Sequence, residues 1–122
     1  HRLSTGELEE IVASHPDVAE CAVFGIDDEL KGQLPLGLVV LKDGSAAASE
    51  VVRDDLVARV RSTVGAVACF RQVHIVDRLP KTRSGKILRR TLRALANGEH
   101  PDIPSTIDDP AIIDEIRSRL SG

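Results

Sequence analysis

The sequence predicts an α+β domain, in which a small central three-stranded sheet is flanked by helices and followed by a C-terminal helical extension. Three β-prone apolar runs are interspersed with segments whose apolar residues recur at helical spacing. The length of 122 residues and the apolar content of 42% suit one compact domain with a modest core.

The first helix is predicted to begin at Ser4 and to end near His15. Ser4 and Glu7 form a capping-box pattern, in which the serine caps the helix start and the glutamate reaches back to it. Pro16 cannot continue the helix, because its ring removes a backbone donor. The apolar stripe of this helix consists of Leu8, Ile11 and Val12.

The three strands are predicted over 18–26, 36–41 and 73–76. The first two runs are almost continuously apolar, which is typical of central strands buried on both faces. A polar loop over 27–33 connects them, and the third run alternates towards the next motif.

Two further helices are predicted to have serine N-caps, Ser49 for the second helix and Ser84 for the third. The third helix should end at Gly98, a residue type that commonly terminates helices. The apolar stripes are Val52, Leu56, Val60 and Val64 in the second helix, and Ile87, Leu88, Leu92 and Leu95 in the third. This assignment places Lys86 in the first turn of the third helix.

The C-terminal part of the chain is predicted to be a packed connection followed by a last helix. The connection over 97–108 contains two prolines and has no apolar period, and its length indicates a segment that packs over another surface. The last helix is predicted to begin at Asp109–Pro110, with proline in the first helical position. Its apolar face consists of Ile112, Ile113, Ile116 and Leu120.

Composition limits the classes of protein. The formal net charge of −3 and the pI near 5.8 provide no global attraction for polyanions. No apolar run approaches the roughly 18 to 20 residues that span a bilayer, and no signal-peptide pattern opens the chain. Cys21 and Cys69 lack metal-binding spacing and are predicted to be small core residues in a reducing compartment, with a Cys69–His74 nucleophile pair as the alternative. We therefore expect a soluble, cytoplasmic protein.

The most informative stretch of the sequence is 79–90. A lysine in the first turn of a helix is unusual, since the positive end of the helix dipole favours anions. An arriving phosphate or carboxylate would meet backbone N–H groups, Lys86 and Arg83. A P-loop is excluded, because Pro80 and Ile87 occupy the positions that require glycine and serine or threonine.

The same stretch contains a basic cluster, which consists of Lys81, Arg83, Lys86, Arg89, Arg90 and Arg93. One alternative is that these charges form a solvated helix face. Another is a freestanding module that binds nucleic acid or an acidic protein through them. No aromatic residue interleaves the cluster, so base stacking has no platform.

The run 80–86 (Pro-Lys-Thr-Arg-Ser-Gly-Lys) resembles the last core motif of the adenylate-forming, or AMP-binding, ligases, which include acyl-CoA synthetases, luciferases and peptide-synthetase adenylation domains. The run 2–6 resembles the motif that follows the hinge in this superfamily. The resemblance implies a mobile C-terminal domain over 1–98 and an extension with a terminal helix over 99–122. It also implies that Lys86 is the catalytic residue, which contacts carboxylate and phosphate oxygens during adenylate formation.

Other runs resemble the short-chain acyl-CoA synthetases in particular. The runs 31–33 and 104–110 are similar to acetyl- and propionyl-CoA synthetases, and the runs 33–37 and 65–71 are similar to the propionyl type. The resemblance implies the lid domain of a propionate–CoA ligase, an acid–thiol ligase that forms an acyl-adenylate and then a thioester. An acetyl-CoA synthetase is the alternative. The isolated chain is expected to be inactive, because it lacks the substrate pockets.

The resemblance also implies further site residues. Arg2 is expected to contact ATP or AMP phosphates. His1 and Arg61 are expected to bind coenzyme A, although Arg61 also fits a solvated helix face. A structural cation site is expected at Ala13, His15 and Val18, with a histidine that caps helix carbonyls as the alternative reading of His15.

The implied cofactors are ATP, coenzyme A and Mg²⁺, with the metal held mainly by the N-terminal adenylation domain. The implied partners are that domain, a short-chain carboxylate substrate, and a lysine acyltransferase and deacylase that modify Lys86. Neither nucleic acid nor a membrane is expected as a partner.

Overall fold

The structure is a computed structural model that describes residues Ser4–Ser121. The described elements, in chain order, are α1 (Thr5–Ala13), β1 (Val18–Asp28), β2 (Gly32–Leu41), α2 (Ser49–Val64), a short 3-10 helix (Ala66–Ala68), β3 (Gln72–Ile75), α3 (Arg89–Ala96) and α4 (Ile112–Ser121). The predicted α+β class, with a three-stranded sheet flanked by helices, is confirmed.

The sheet has the order β1-β2-β3, so β2 is its central strand. β1 and β2 are antiparallel, with Phe24 opposite Leu36, whereas β2 and β3 are parallel. The prediction that β1 is a central strand was wrong, since it lies at the sheet edge. The predicted burial on both faces is confirmed at the centre of β1.

Two hydrophobic clusters lie on opposite faces of this sheet. On one face, Phe24 and Leu38 pack with the buried side chains of α3 and α4. On the other face, Val23 and Val39 pack with α1 and α2. Alternate residues of β1 and β2 therefore serve different clusters, which explains why both strands read as continuous apolar runs.

The N-terminal caps of α1 and α2 differ. Ser4 caps α1 as predicted, because its Oγ accepts the backbone N–H of Glu7 at 3.1 Å. In α2, Ser49 is already the first helical residue and Ala48 occupies the N-cap position without any side-chain hydrogen bond. The predicted Ser49 cap was therefore wrong by one position.

The last two helices begin later than the sequence predicts. α3 begins at Arg89, with Leu88 as its N-cap, and not after Ser84. α4 begins at Ile112, because Pro110 lies in a turn that precedes it. That turn is fixed by Asp109, whose Oδ1 accepts the N–H of Ala111 at 3.0 Å.

The connection over 97–108 packs against the rest of the domain, as predicted. Ile107 is only 6% exposed and joins the cluster that contains α3 and α4. It also forms an antiparallel bridge with Thr82. In the described part of the chain, no helix is long and apolar enough to cross a membrane.

Arg78, which follows β3, forms hydrogen bonds to α4 and to the turn that precedes it. Its Nη1 donates to Asp109 Oδ2 at 2.8 Å, and its Nε donates to Glu115 Oε1 at 3.2 Å, with a second bond from Nη2 to the same carboxylate. These bonds lower the pKa of both carboxyl groups below their ordinary values, and the N–H of Ala111 adds to the effect at Asp109.

We expect the stabilisation by Arg78 to depend on pH. A carboxyl group whose pKa is lowered by folding stabilises the fold above its ordinary pKa, and this contribution is lost as the pH falls through the lowered value. The ordinary values are 3.8 for Asp109 and 4.5 for Glu115, so the loss begins below them. Arg78→Gln should therefore lower the free energy of unfolding more near neutral pH than below pH 3.8.

Urea unfolding at both pH values measures this difference. Arg117→Gln is the matched control, because among the described residues Arg117 pairs only with the largely exposed Asp114 of its own helix. An Arg78→Gln effect of equal size at both pH values would show that the charges of Asp109 and Glu115 are not its cause.

Candidate functional site

Residues 80–88 form a tight hairpin, which we call the Lys86 hairpin. Lys81 and Ile87 pair as an antiparallel bridge, and the N–H of Leu88 donates to the carbonyl of Pro80 at 3.0 Å. Pro80 is fully buried and Ile87 packs against the core, so the base of the hairpin is anchored in the domain.

The tip of the Lys86 hairpin is closed by Thr82 and Gly85. The N–H of Thr82 donates to the Lys86 carbonyl at 2.8 Å, and the N–H of Lys86 donates back to Thr82 Oγ1 at 3.1 Å. Gly85 has a φ of +92°, a conformation that favours glycine, and its N–H donates to the Thr82 carbonyl at 2.9 Å. Ser84 Oγ lies 3.0 Å from Thr82 Oγ1.

This geometry corrects the prediction that Lys86 lies in the first turn of a helix capped by Ser84. The hairpin forms because Thr82 supplies side-chain and backbone partners, and because Gly85 permits the reversal. The N–H groups of Gly85 and Lys86 are consequently used within the tip. An arriving anion would therefore meet the Lys86 ammonium group and not a free helix N-terminus.

The connection over 97–108 clamps the outer side of the hairpin. The N–H of Arg83 donates to the Thr106 carbonyl at 3.0 Å, and its Nη2 donates to the Ser105 carbonyl at 2.9 Å. The N–H of Asp108 donates to the carbonyl of Lys81 at 2.8 Å. Sequence reasoning missed this clamp, since the apolar pattern around residue 107 is too short to indicate pairing.

Half of the basic cluster is engaged inside the domain. Lys81 Nζ lies 2.9 Å from Glu20 Oε2, and Arg89 forms a two-point ion pair with Glu9. Arg83 is held by a carbonyl, as described above. Within Ser4–Ser121, no carboxylate lies within ion-pairing distance of the other three cluster residues, which are Lys86, Arg90 and Arg93.

This pairing weakens the alternative of a nucleic-acid module. Affinity for a polyanion grows with the number of phosphates that free cations neutralise, and pairing with Glu9 and Glu20 reduces that number. The two aromatic residues, Phe24 and Phe70, are both buried, so they cannot stack on bases. The Lys86 side chain is instead a single exposed ammonium group on a well-fixed support.

The groove between α1 and the β1 edge lies beside the hairpin and contains Glu9, Glu20 and Cys21. Glu9 Oε2 accepts the N–H of Val23 at 3.3 Å, and one oxygen of Glu20 is buried without a hydrogen-bond partner. Burial, assisted by the charge of Glu9, raises the pKa of Cys21 to about 11. Cys21 is therefore an unreactive core thiol at neutral pH, as predicted.

Cys69 is half-buried and has a left-handed backbone with a φ of 53°. Among the described residues, no hydrogen bond joins Cys69 to His74. The pKa of His74 is lowered by burial and by the charge of Arg53. The structure therefore offers no support for a Cys69–His74 nucleophile pair.

Arg61 lies in the last turn of α2, and its side chain is exposed. α2 packs on one face of the sheet, whereas the Lys86 hairpin packs with α3 on the other. The elements that carry the two predicted site residues thus pack on opposite faces of the sheet.

The predicted cation site lies in the turn after α1. His15 is 5% exposed, its Nδ1 accepts the N–H of Asp17 at 3.0 Å, and its Nε2 lies 3.4 Å from Asp55 Oδ2. The His15 carbonyl accepts the N–H of Val18 at 3.1 Å. The described residues contain no group of three or more histidine, cysteine or acidic side chains that could hold a metal. A cation at Ala13, His15 and Val18 would depend on backbone oxygens and stays a prediction.

Two other predicted site residues, His1 and Arg2, lie outside the described residues. Their assigned contacts with coenzyme A and with ATP or AMP therefore stay predictions.

Comparison with known proteins identifies the family of this chain. A family model described as the AMP-binding enzyme C-terminal domain matches residues 7–86. The chain is 62% identical over 120 residues to an uncharacterized protein of Pseudomonas aeruginosa, covering 98% of this chain and 19% of that protein. It is 53% identical over 116 residues to acyl-CoA synthetase short-chain family member B, mitochondrial, of Dictyostelium discoideum, covering 95% of this chain and 17% of that protein.

A solved structure has a similar fold over most of this chain. The crystal structure of Brucella canis acyl-CoA synthetase is similar with a TM-score of 0.67 and 34% sequence identity, over 76% of this chain and 17% of that chain. The chain spans less than a fifth of the length of the curated relatives named above. Since the family model covers two-thirds of the sequence and ends at Lys86 itself, the chain belongs to the AMP-binding enzyme C-terminal domain family, together with short-chain acyl-CoA synthetases.

Proposed function

We propose that this chain is the mobile lid domain of an AMP-forming short-chain acyl-CoA synthetase. That enzyme joins a carboxylate to AMP from ATP and then transfers the acyl group to coenzyme A. The lid comprises residues 1–98 and carries the extension over 99–122. The observation that carries the proposal is the exposed ammonium group of Lys86 on a hairpin tip that hydrogen bonds hold in place.

Lys86 acts in the first half-reaction. When a carboxylate oxygen attacks the α-phosphate, negative charge develops on the phosphate oxygens and on the departing pyrophosphate. The Lys86 ammonium group has no carboxylate partner among residues 4–121, so it is available to neutralise that charge. The clamp by residues 105–108 limits the motion of the hairpin, so little reorganisation is needed when the substrates bind.

The same enzyme must stabilise a second, different transition state, in which the thiol of coenzyme A attacks the acyl-adenylate. A lid with two orientations meets this need, because each orientation presents a different face. The packing of the Lys86 hairpin base and of α2 on opposite faces of the sheet supports the proposal. Lys86 serves adenylation, and after rotation Arg61 contacts coenzyme A phosphates. We assign Arg2 to the ATP or AMP phosphates and His1 to coenzyme A on the family resemblance alone.

The remaining assignments concern the whole enzyme. The N-terminal adenylation domain provides the acyl and adenine pockets and most of the Mg²⁺ ligands. The substrate is a short-chain carboxylate, with propionate favoured over acetate by the runs 33–37 and 65–71. We place the enzyme in the cytoplasm, although a relative is named as mitochondrial.

Regulation by lysine acylation is part of the proposal. The exposed Lys86 side chain is accessible to an acyltransferase and to a deacylase. Acylation would remove the positive charge and the charge-assisted hydrogen bonds that adenylation requires.

Arg61→Ala in the full-length enzyme tests the two-orientation proposal. We expect the apparent KM for coenzyme A to rise about tenfold, since a charge-assisted contact to phosphate is lost. Adenylate formation should stay near the wild-type rate, because Arg61 then faces away from the reaction. Steady-state kinetics with varied coenzyme A and pyrophosphate exchange measure the two effects.

Arg59→Ala is the matched control for this experiment. Arg59 lies two residues earlier in α2, on another side of the helix, where its Nη1 donates to Ser14 Oγ at 3.4 Å. An unchanged KM for coenzyme A in Arg61→Ala, or an equal increase in both variants, would contradict a role in coenzyme A binding. Arg61 would then be a residue of a solvated helix face.

A further inference from the structure

A polar cavity, separate from the groove between α1 and β1, lies beside β3 between the start of α2 and the end of α4. Its volume is about 290 Å³. The lining residues are Ser49, Arg53, His74, Ile75, Ser118 and Arg119. None of them belongs to the Lys86 hairpin, and none has a role in the proposed reaction.

The charge of this cavity is unusual for the protein. The chain has 19 acidic and 16 basic residues, yet the lining includes two arginines and one histidine and no carboxylate. Arg53 forms no ion pair within the described part of the chain. Two guanidinium groups that share a cavity repel each other unless an anion lies between them.

Arg119 is held by a backbone carbonyl and forms only a long, solvent-exposed ion pair with Asp77 in the described part of the chain. Its Nη1 donates to the carbonyl of Ile75 at 3.2 Å, which fixes the guanidinium against the β3 edge. Its Nη2 lies 3.8 Å from Asp77 Oδ1, beyond hydrogen-bonding distance. The Asp77 side chain is 85% exposed, so water screens this pair. Most donors of Arg119 therefore stay available to a ligand.

Two further features of the cavity supply hydrogen-bonding groups for a bound anion. His74 is half-buried on β3, and burial together with the positive charge of Arg53 lowers its pKa, so its imidazole is a neutral hydrogen-bonding group at neutral pH. Ser49 begins α2, and Ala48 supplies no side-chain acceptor for the N–H groups of the first turn. Serine hydroxyls, a guanidinium fork and an imidazole together match the oxygens of a phosphate group.

We propose that this cavity binds a phosphate group through Arg53 and Arg119, with Ser49 and His74 as further hydrogen-bonding partners. The guanidinium groups supply the charge, and the hydroxyl and imidazole groups orient the oxygens. The volume exceeds that of inorganic phosphate, so the phosphate of a small ester also fits. The site is independent of the Lys86 chemistry and would persist if the proposed ligase function were wrong.

The test is an NMR titration of this 122-residue chain with inorganic phosphate, at an ionic strength held constant with chloride. We expect saturable shifts at the amides of Ser49, His74 and Ser118. The imidazole pKa of His74 should rise when phosphate is bound, because a dianion favours the protonated ring. A parallel titration with glycerol phosphate distinguishes the ligand sources, since tighter binding than that of inorganic phosphate indicates an ester.

Arg53→Gln and Arg119→Gln should each weaken phosphate binding at least about tenfold, because each removes a charge-assisted contact. Within Ser4–Ser121 Arg53 makes no ion pair, so its replacement breaks none there. Arg117→Gln removes the same charge from α4 outside the cavity and should leave the affinity unchanged. Equal affinities in all three variants, or shifts centred on the Lys86 hairpin, would overturn the proposal.

Discussion

Replacing Lys86 with alanine in the full-length enzyme is expected to slow acyl-adenylate formation at least about 10²-fold. Groups that stabilise charge developing in a transition state commonly contribute about 3 to 4 kcal/mol to lowering the barrier. Lys86 is suited to this role, since its ammonium group is exposed and the hairpin beneath it is fixed by Thr82 and Gly85. Alanine leaves those hydrogen bonds in place, because none of them uses the Lys86 side chain, and removes the ammonium group.

Carboxylate-dependent exchange of pyrophosphate into ATP measures the adenylation step alone. Arg90→Ala is the matched control, because Arg90 is another exposed cluster residue without an ion pair in the described structure. The control should retain near wild-type exchange. Wild-type exchange in Lys86→Ala would remove Lys86 from the reaction, and an equal loss in Arg90→Ala would indicate a general effect of the basic surface.

Leu92→Ala is expected to reduce the free energy of unfolding of the domain by about 3 kcal/mol. Leu92 is 0% exposed and lies in the first full turn of α3, directly after the Lys86 hairpin. It belongs to the cluster that includes Phe24 from the sheet and Ile113 from α4. Its removal leaves a cavity that both the sheet and the neighbouring helices would have to fill.

Urea unfolding at neutral pH gives this value, and Val51→Ala is the control because the Val51 side chain is 56% exposed on α2. The control should change stability by less than about 0.5 kcal/mol. A loss below about 1 kcal/mol for Leu92→Ala would contradict the assignment of α3 to the core.

Much of the fold could be predicted from local sequence patterns. The Ser4–Glu7 capping box predicted the start of α1, and the two apolar runs predicted β1 and β2 with burial on both faces. The edge position of β1 could not be predicted from the sequence. Side chains from distant elements cover that edge: Glu9 accepts the N–H of Val23, and Asn97 accepts the N–H of Asp27. Because the edge is covered, this strand can have the apolar composition of a central strand.

The hairpin was mistaken for a helix because its base satisfies the same apolar spacing. Ile87 and Leu88 pack against the core although neither is helical. Their spacing from Leu92 and Leu95 is the one that an additional helical turn before α3 would also give. The discriminating signal was local, namely a hydroxyl at Thr82 followed by Gly85. That glycine adopts a positive φ in a turn, whereas helical residues do not.

The surroundings of the site required the tertiary structure. The pairs Lys81–Glu20 and Arg89–Glu9 join residues 61 and 80 positions apart, and no sequence pattern links them. These pairs engage Lys81 and Arg89, and in the described part of the chain no carboxylate pairs with Lys86. The motif over 80–86 predicts Lys86 as the catalytic residue, whereas the long-range pairing of its neighbours could not be predicted from that motif.

The central claim is that Lys86 serves one half-reaction and is turned away during the other. Release of acyl-CoA from synthetic propionyl-adenylate and coenzyme A by Lys86→Ala tests it most directly, because this assay bypasses adenylation. The two-orientation account predicts a rate within about threefold of the wild type, since Lys86 makes no contact with that transition state. A loss of about 10²-fold or more, matching the loss in pyrophosphate exchange, would contradict the account and make Lys86 a residue that acts in both steps.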